Sequence, residues 1–325
     1  MTTSNASIDL LAIGEVLIDF ISTEVVDSLR EATTFRRYLG GSPANIAVNM
    51  SKLGCQAAVM SKTGIGAFGQ FIKAELLYNG VMTDYLVMDH LVHTTFVFVS
   101  QTQGTPDFEP SRDGDYKLTP DEVSESAIAQ SKIIHASTWP LSKEPSRFAV
   151  EKAFQLAHAQ NKIVSLDPNY SPLVWPNYQE AQEVLRNIFP YVTITKASLD
   201  DSHRLFGPGE TPAAYIKKLH DLGPKIVVFT MGKEGAMISQ EGRILGHLPA
   251  RKIKVVDATG AGDSFWAGYL TAMLDGHPPE VCLLFAREIV EMKLQQIGPL
   301  PTKLDRTELY AGLPDVKDPL KPVKQ

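Results

Sequence analysis

Asp263 ends the string Asp257-Ala258-Thr259-Gly260-Ala261-Gly262-Asp263 and opens an amphipathic run, Ser264–Leu274. Small residues directly before a helix let a ligand come close to the backbone. The N–H groups of the first helical turn have no partner inside the helix and, with the helix dipole, form an anion site. A carboxylate beside such a site repels the anion. One reading is that Asp263 only favours the positive helix end. The other is that it accepts the proton of a hydroxyl attacking a bound phosphoryl group. The unbroken cluster of small residues beside it favours the second.

Two further glycine motifs compete. Gly40-Gly41-Ser42-Pro43-Ala44 is close to a nucleophile elbow, in which the residue after serine donates its N–H to an oxyanion. Here that residue is Pro43, which has no N–H. Ser42 is therefore a poor acyl-transfer nucleophile. Pro43 suits the first turn of a helix over Ala44–Leu53, and Asn45 projects from that turn. Gly64-Ile65-Gly66-Ala67-Phe68-Gly69 is a formal dinucleotide fingerprint, with Asp84 or Asp89 spaced for a ribose contact. It supports an NAD(P)-dependent oxidoreductase as a different class of reading. Against that, the fingerprint usually follows the first strand, and Ile8–Ile13 comes earlier.

The elements that would position these residues alternate. Ile8–Ile13, Ala57–Met60, Ile133–His135, Ile163–Leu166, Val192–Thr195 and Ile226–Thr230 read as buried strands. Ala44–Leu53, Phe68–Tyr78, Arg147–Gln160, Tyr178–Ile188, Ser198–Phe206 and Ala213–Leu222 carry helical spacing. The alternation predicts an α/β fold with a mostly parallel sheet covered on both faces. Residues 16–38 and 93–118 break the rhythm, with strand-like Val16–Ser22 and Thr94–Ser100 too polar for a central sheet. They read either as edge hairpins or as a small second sheet covering a site.

At 325 residues the chain allows one or two domains. Its formal charge of −6, without a basic run, argues against binding nucleic acid. Two cysteines exclude a disulfide scaffold, and Cys55 and Cys282 read as small hydrophobes. No apolar run is long enough for a membrane span. Met1–Asp9 lacks the pattern of a signal peptide, and a cytoplasmic setting follows as the expectation. The sequon-like Asn5-Ala6-Ser7 then carries little weight, and the tail Leu313–Gln325 reads as a loosely held end.

Gly40-Gly41-Ser42-Pro43-Ala44-Asn45, followed by Ala47-Val48 and Leu53-Gly54, resembles the N-terminal signature of the ribokinase-like (PfkB) carbohydrate kinases. Asp257 to Phe265 resembles their C-terminal signature. Gly14-Glu15 through Asp19, Asp167-Pro168-Asn169, Thr230 through Gly235 and Gly298 fall in the family's order. The resemblance implies one doubly wound α/β domain over residues 1–325, with 16–38 and 93–118 as a small β-sheet lid. It also implies transfer of the ATP γ-phosphoryl group to a sugar hydroxyl. Asp263 matches the catalytic base, and Gly260, Ala261 and Gly262 the anion hole. Asp19, Gly40, Gly41, Asn45 and Asn169 match sugar-side positions. Lys196, Thr230, Gly232 and Gly235 fall where the family holds the nucleotide.

Asp257, Thr259 and Gly298 match the segments of a monovalent-cation (K⁺) site. Ser198 and Asp201 stand where the family has Asn and Glu in a magnesium-linked motif, so Asp201 keeps the charge on a shorter arm. Gly66 replaces a common Asp, which creates the dinucleotide fingerprint. Arg112 matches a lid-side arginine of the fructokinase and 2-keto-3-deoxygluconate kinase branches. A second arginine of the latter is missing after Asp167-Pro168-Asn169, where Tyr170-Ser171 follow. Loss of one charged partner of a substrate carboxylate costs ~1.5–3 kcal/mol. The expectation is therefore a fructokinase acting on a primary hydroxyl with ATP, Mg²⁺ and K⁺; 2-keto-3-deoxygluconate kinase and ribokinase are the alternatives. The lid segments offer exposed strands for a homodimer.

Overall fold

β1 (Ile8–Ile13) is almost continuously apolar, the pattern of a strand covered on both faces, and all of it except Asp9 is buried. The structure, a computed structural model, describes residues 8–102, 107–296, 298–301, 303–313 and 320–321. The readings of Met1–Ser7, the sequon-like triplet included, and of most of the C-terminal tail lie outside these residues. Within that tail, Lys321 pairs with His247 through two backbone hydrogen bonds.

From β1 the chain leaves the main layer for β2 (Leu17–Val25) and β3 (Phe35–Gly40). It departs at Gly14 and returns at Gly41, both at positive φ (140° and 98°), where a side chain would be strained. α1 (Ser42–Lys52) leads back to β4 (Ala57–Gly64), and α2 (Ala67–Tyr78) crosses to β5 (Leu86–Asp89). A second excursion forms β6 (Phe96–Gln101) and β7 (Phe108–Ser111). The short α3 (Glu125–Gln130), capped by Ser124, precedes β8 (Ser131–Ser137).

Strand and helix then alternate regularly. α4 (Ser146–Ala159), β9 (Ile163–Asp167), α5 (Tyr178–Ile188) and β10 (Ile194–Ser198) are followed by α6 (Leu199–Phe206), α7 (Pro212–Leu222) and β11 (Ile226–Thr230). β12 (Ala236–Gln240) and β13 (Arg243–Leu248) form a hairpin. α8 (Ala261–Leu274), α9 (Pro279–Leu294) and α10 (Arg306–Ala311) complete the described chain.

The main sheet has nine strands in the order β13-β12-β11-β10-β9-β8-β1-β4-β5. It is parallel except for β12, which is antiparallel to both neighbours. Leu10 and Ala12 of β1 face a cluster built by α1, α2, α8 and α9. Leu11 and Ile13 face a second cluster built by α3 to α7. The sheet is therefore covered on both faces, as expected. Both cysteines are free and buried. Among the described residues no helix is long and apolar enough to cross a membrane.

The two irregular segments form a separate four-stranded sheet, β3-β2-β6-β7. β2 and β6 pair in parallel, with Ile18 opposite Phe96 and Phe20 opposite Phe98. Phe20, Phe35, Phe96 and Phe98 pack edge-to-face and stacked, and Phe68 of α2 joins them. Asp19, one residue along from Phe20, points to the opposite face by the period of a strand.

Candidate active site

Open parallel sheets bind ligands outside the carboxyl ends of their strands, and the candidate residues gather there. Asp167 ends β9, Lys196 is the middle residue of the short β10, and Thr230 ends β11. Gly260, at φ 70°, turns the chain into α8. No side chain caps that helix end; the Ala261 N–H donates to the Ala258 carbonyl at 3.2 Å, and the next N–H groups, of Gly262 and Asp263, are left for a ligand or solvent.

Asp263 occupies the first turn of α8 and is held from across the cleft. The Ser42 hydroxyl donates to one carboxylate oxygen at 2.7 Å, and the Asn45 amide donates to the other at 2.9 Å. Both donors come from the first turn of α1, which carries Pro43 and has Gly41 as its N-cap. Asp19 of β2 lies over Gly40: a Cβ on that glycine would run into the Asp19 carboxylate. Gly40 is thus required by the close approach of an acid group.

Asp19 and Asp263 are half-buried at the cleft floor, reached by water but crowded by protein. Loss of solvent, and then the charge of Asp263, pushes the Asp19 carboxyl up to about 7. Burial also raises Asp263, against the pull of Lys196, Asn45 and Ser42. Behind them, burial pushes Glu15 up to about 8. Its carboxyl accepts from the Ser42 backbone N–H at 3.1 Å and from the Ser137 hydroxyl at 2.9 Å. Glu15 therefore holds the turn that presents Ser42 to Asp263.

Lys196 is buried and forms an ion pair with Asp167 at 2.5 Å. Its ammonium also borders Gly262, where a Cβ would lie 3.1 Å from Nζ. Burial disfavours its charge, yet the carboxylates of Asp167, Asp201 and Asp263 outweigh burial and keep it protonated. A permanent cation thus stands against the first turn of α8. One oxygen of Asp167 is buried without a hydrogen-bond partner. One oxygen of Asp201 is taken by a capping box, accepting from the Ser198 N–H and hydroxyl. Among the described residues no group of three or more His, Cys, Asp or Glu is arranged to hold a metal unaided.

Other expected residues sit differently. Thr230, Gly232 and Gly235 shape the tight turn between β11 and β12, closed by a Met231 N–H to Gly235 carbonyl bond. Asn169 is exposed with φ 37°. Arg112 is not free to meet a ligand, because its side chain is only 5% exposed and ion-paired to Asp115. Its remaining donors reach the Ser142 hydroxyl and the Trp139 carbonyl. Asp257, Thr259 and Gly298 do come together: the carboxylate of Asp257 accepts from the N–H groups of Thr259 and Gly298. Lys293 joins them, as sequence reasoning did not foresee.

Gly64–Gly69 is a packing device. A Cβ on Gly69 would run into the Gly64 carbonyl, and one on Gly64 would meet the Val92 carbonyl at 2.7 Å. The spacing serves a close strand-to-helix turn.

A profile of the pfkB family carbohydrate kinases matches residues 7–304. The chain belongs to that family. This overturns the oxidoreductase reading of Gly64–Gly69 and makes the protein a carbohydrate kinase of ribokinase-like fold. It is 35% identical over 291 residues to the ATP-dependent 6-phosphofructokinase of Thermoanaerobacterium thermosaccharolyticum, covering 89% of each chain. It is 32% identical over 269 residues to fructokinase-2 of Solanum habrochaites, covering 82% of each. Among solved structures, the fructokinase of Halothermothrix orenii superposes with a TM-score of 0.76 at 36% identity, over 90% of this kinase and 100% of that chain.

Proposed function

We propose that this carbohydrate kinase transfers the γ-phosphoryl group of ATP to a primary hydroxyl of free fructose, with Asp263 as base. The observation that carries the reading is the meeting of Asp263, Asp19 and Asn45 beside the uncapped α8 terminus and Lys196. The sugar oxygen attacks phosphorus, its proton passes to an Asp263 oxygen, and the bond to the ADP oxygen breaks. Each carboxylate oxygen has two acceptor sites. Ser42 and Asn45 can therefore keep Asp263 oriented while the sugar hydroxyl takes a remaining lone pair. Asp19 anchors further hydroxyls.

Lys196 and the N–H groups of Gly260 to Gly262 are assigned to the phosphates, stabilising charge that moves during transfer. Mg²⁺ bound with ATP would add positive charge there, and Asp167 and Asp201 fit a hydrated ion that keeps its waters. Thr230, Gly232 and Gly235 are assigned to the nucleotide. The four-stranded sheet is the proposed lid of a single domain, and its edge strands the proposed homodimer contact. A cytoplasmic setting suits the free, buried cysteines. For K⁺ the residues do not fit, since the Asp257 carboxylate is already paired with Lys293.

The neutral sugar is favoured because Arg112 is neutralised by Asp115 rather than offered to an anion. One observation supports fructose 6-phosphate as a second reading. Arg36, exposed on β3 opposite Ile21, lies on the same sheet face as Asp19, and one relative of the whole chain is named an ATP-dependent 6-phosphofructokinase. Coupled ADP release on fructose, fructose 6-phosphate, 2-keto-3-deoxygluconate and ribose decides. The highest kcat/KM is expected on fructose, and preference for any other sugar overturns the assignment.

A further inference from the structure

Lys293 lies in the last turn of α9, with its side chain only 6% exposed. A buried ammonium needs charged or strongly polar partners. Those of Lys293 are on one residue: the Asp257 carboxylate at 3.0 Å and the Asp257 backbone carbonyl at 3.4 Å. The same carboxylate accepts from the Thr259 N–H at 2.9 Å and the Gly298 N–H at 3.3 Å. The N–H of Val256 donates to the Leu294 carbonyl at 2.7 Å, fastening this loop to the end of α9. Three residues beyond Asp257 the chain turns at Gly260 into the helix that carries Asp263.

A single positive charge between a carboxylate and a backbone carbonyl is the arrangement a monovalent ion would make. We propose that the Lys293 ammonium serves as a tethered monovalent cation, neutralising Asp257 and fixing the loop before α8, so that turnover is independent of K⁺. A tethered charge has no binding equilibrium with the medium. A free cation approaching the same carboxylate would meet an ammonium already in contact, and like charges at that range repel. Lys293 is thus a positioning residue, acting through Asp257 on the anion-binding turn. The inference deepens the kinase reading and rests on it for its rate measurements.

The test compares the wild-type enzyme with Lys293→Ala and Lys293→Met, in KCl and in choline chloride at equal ionic strength. Wild-type ADP release with fructose should agree between the two salts within about twofold, since only general screening is left to act. In choline chloride Lys293→Ala should lose at least about tenfold, as expected when a turn that positions phosphate loosens. KCl, and thallium(I) as its heavier substitute, should restore much of that loss, whereas LiCl should not. A merely structural ion pair would not produce cation-selective rescue.

Thallium-205 NMR and thermal melting give readouts that do not need activity. Thallium binding, and a melting midpoint raised by KCl but not choline chloride, are expected in Lys293→Ala and absent in the wild type. Lys293→Met, which keeps the apolar stem, replaces the alanine variant if the latter does not fold. Strong K⁺ activation of the wild type with thallium bound overturns the proposal. So does a folded variant with no gain in cation response. Absence of ADP release from every sugar in every salt defeats the kinase reading alone, because thallium binding still decides the role of Lys293.

Discussion

The two ends of the cleft are built by different means. At the β2–α1 end, side chains link the elements in a chain: Ser137 to Glu15, the Ser42 backbone N–H to Glu15, and Ser42 and Asn45 to Asp263. At the other end, the turn Gly232–Gly235 is closed by backbone bonds, and residues 254–256 are exposed. The difference follows from what each end is assigned to do. Moving a proton requires oxygens within hydrogen-bond reach, and small misplacement is costly. Holding a nucleotide distributes the interaction over many contacts, so no one exposed side chain is decisive.

That contrast breaks if the proton-transfer end tolerates change. Asp263→Asn keeps the shape and removes the proposed base, and should lower kcat by about 10²–10⁴-fold with ATP binding retained. Steady-state kinetics with a nucleotide-binding titration measure both, and near-wild-type kcat would remove Asp263 from the chemistry.

The next effect is on pH. As the proposed base Asp263 must be ionised, and its carboxyl is raised while Asp19 stands at about 7. kcat/KM should therefore fall as pH drops below about 7, by roughly tenfold per pH unit once protonation dominates. The two carboxyls titrate as a coupled pair. In Asp19→Asn the neighbouring negative charge is gone, so the acid limb should move to lower pH while KM for the sugar rises. A pH–rate profile with an unmoved limb would separate the two groups.

The smallest effect belongs to the open end. Lys233→Ala, at an exposed position of the β11–β12 turn, should change KM for ATP by no more than about threefold, within the range of surface substitutions. A large rise would show that this end, too, depends on single side chains.

Legibility in the sequence follows the same division. β1, β11 and α5 have the bounds that their apolar spacing predicts. Asn45 and Asp263 are readable because each stands in the first turn of a helix that follows glycines, whereas Asp19, inside a strand, is marked only by the family resemblance. α9 was not read, although Leu283, Phe285 and Ile289 form its core face. Arg287, Glu288, Glu291 and Lys293 interrupt the pattern, and several find partners only in tertiary contact with Arg251 and Asp257. β3 has no apolar alternation to read, because Arg36 and Arg37 stand side by side and both are exposed. Ser42 was rightly set aside as a nucleophile, but its bond to Asp263 spans most of the chain and has no local signal. Glu15 and Asp167 are of the same kind.

The paired glycines at the roots of the small sheet carry one more consequence. β2 enters after Gly14 and β3 leaves through Gly40 into Gly41, so Asp19 is carried by the small sheet while Asp263 is carried by α8. The two carboxylates therefore belong to different layers of the molecule, like the halves of a latch. If the small sheet is the proposed lid, an outward swing would separate the proposed sugar anchor from the proposed base. A nucleotide bound to such an open form would face water with only half of the pair, so that hydrolysis of ATP without sugar would be disfavoured by geometry.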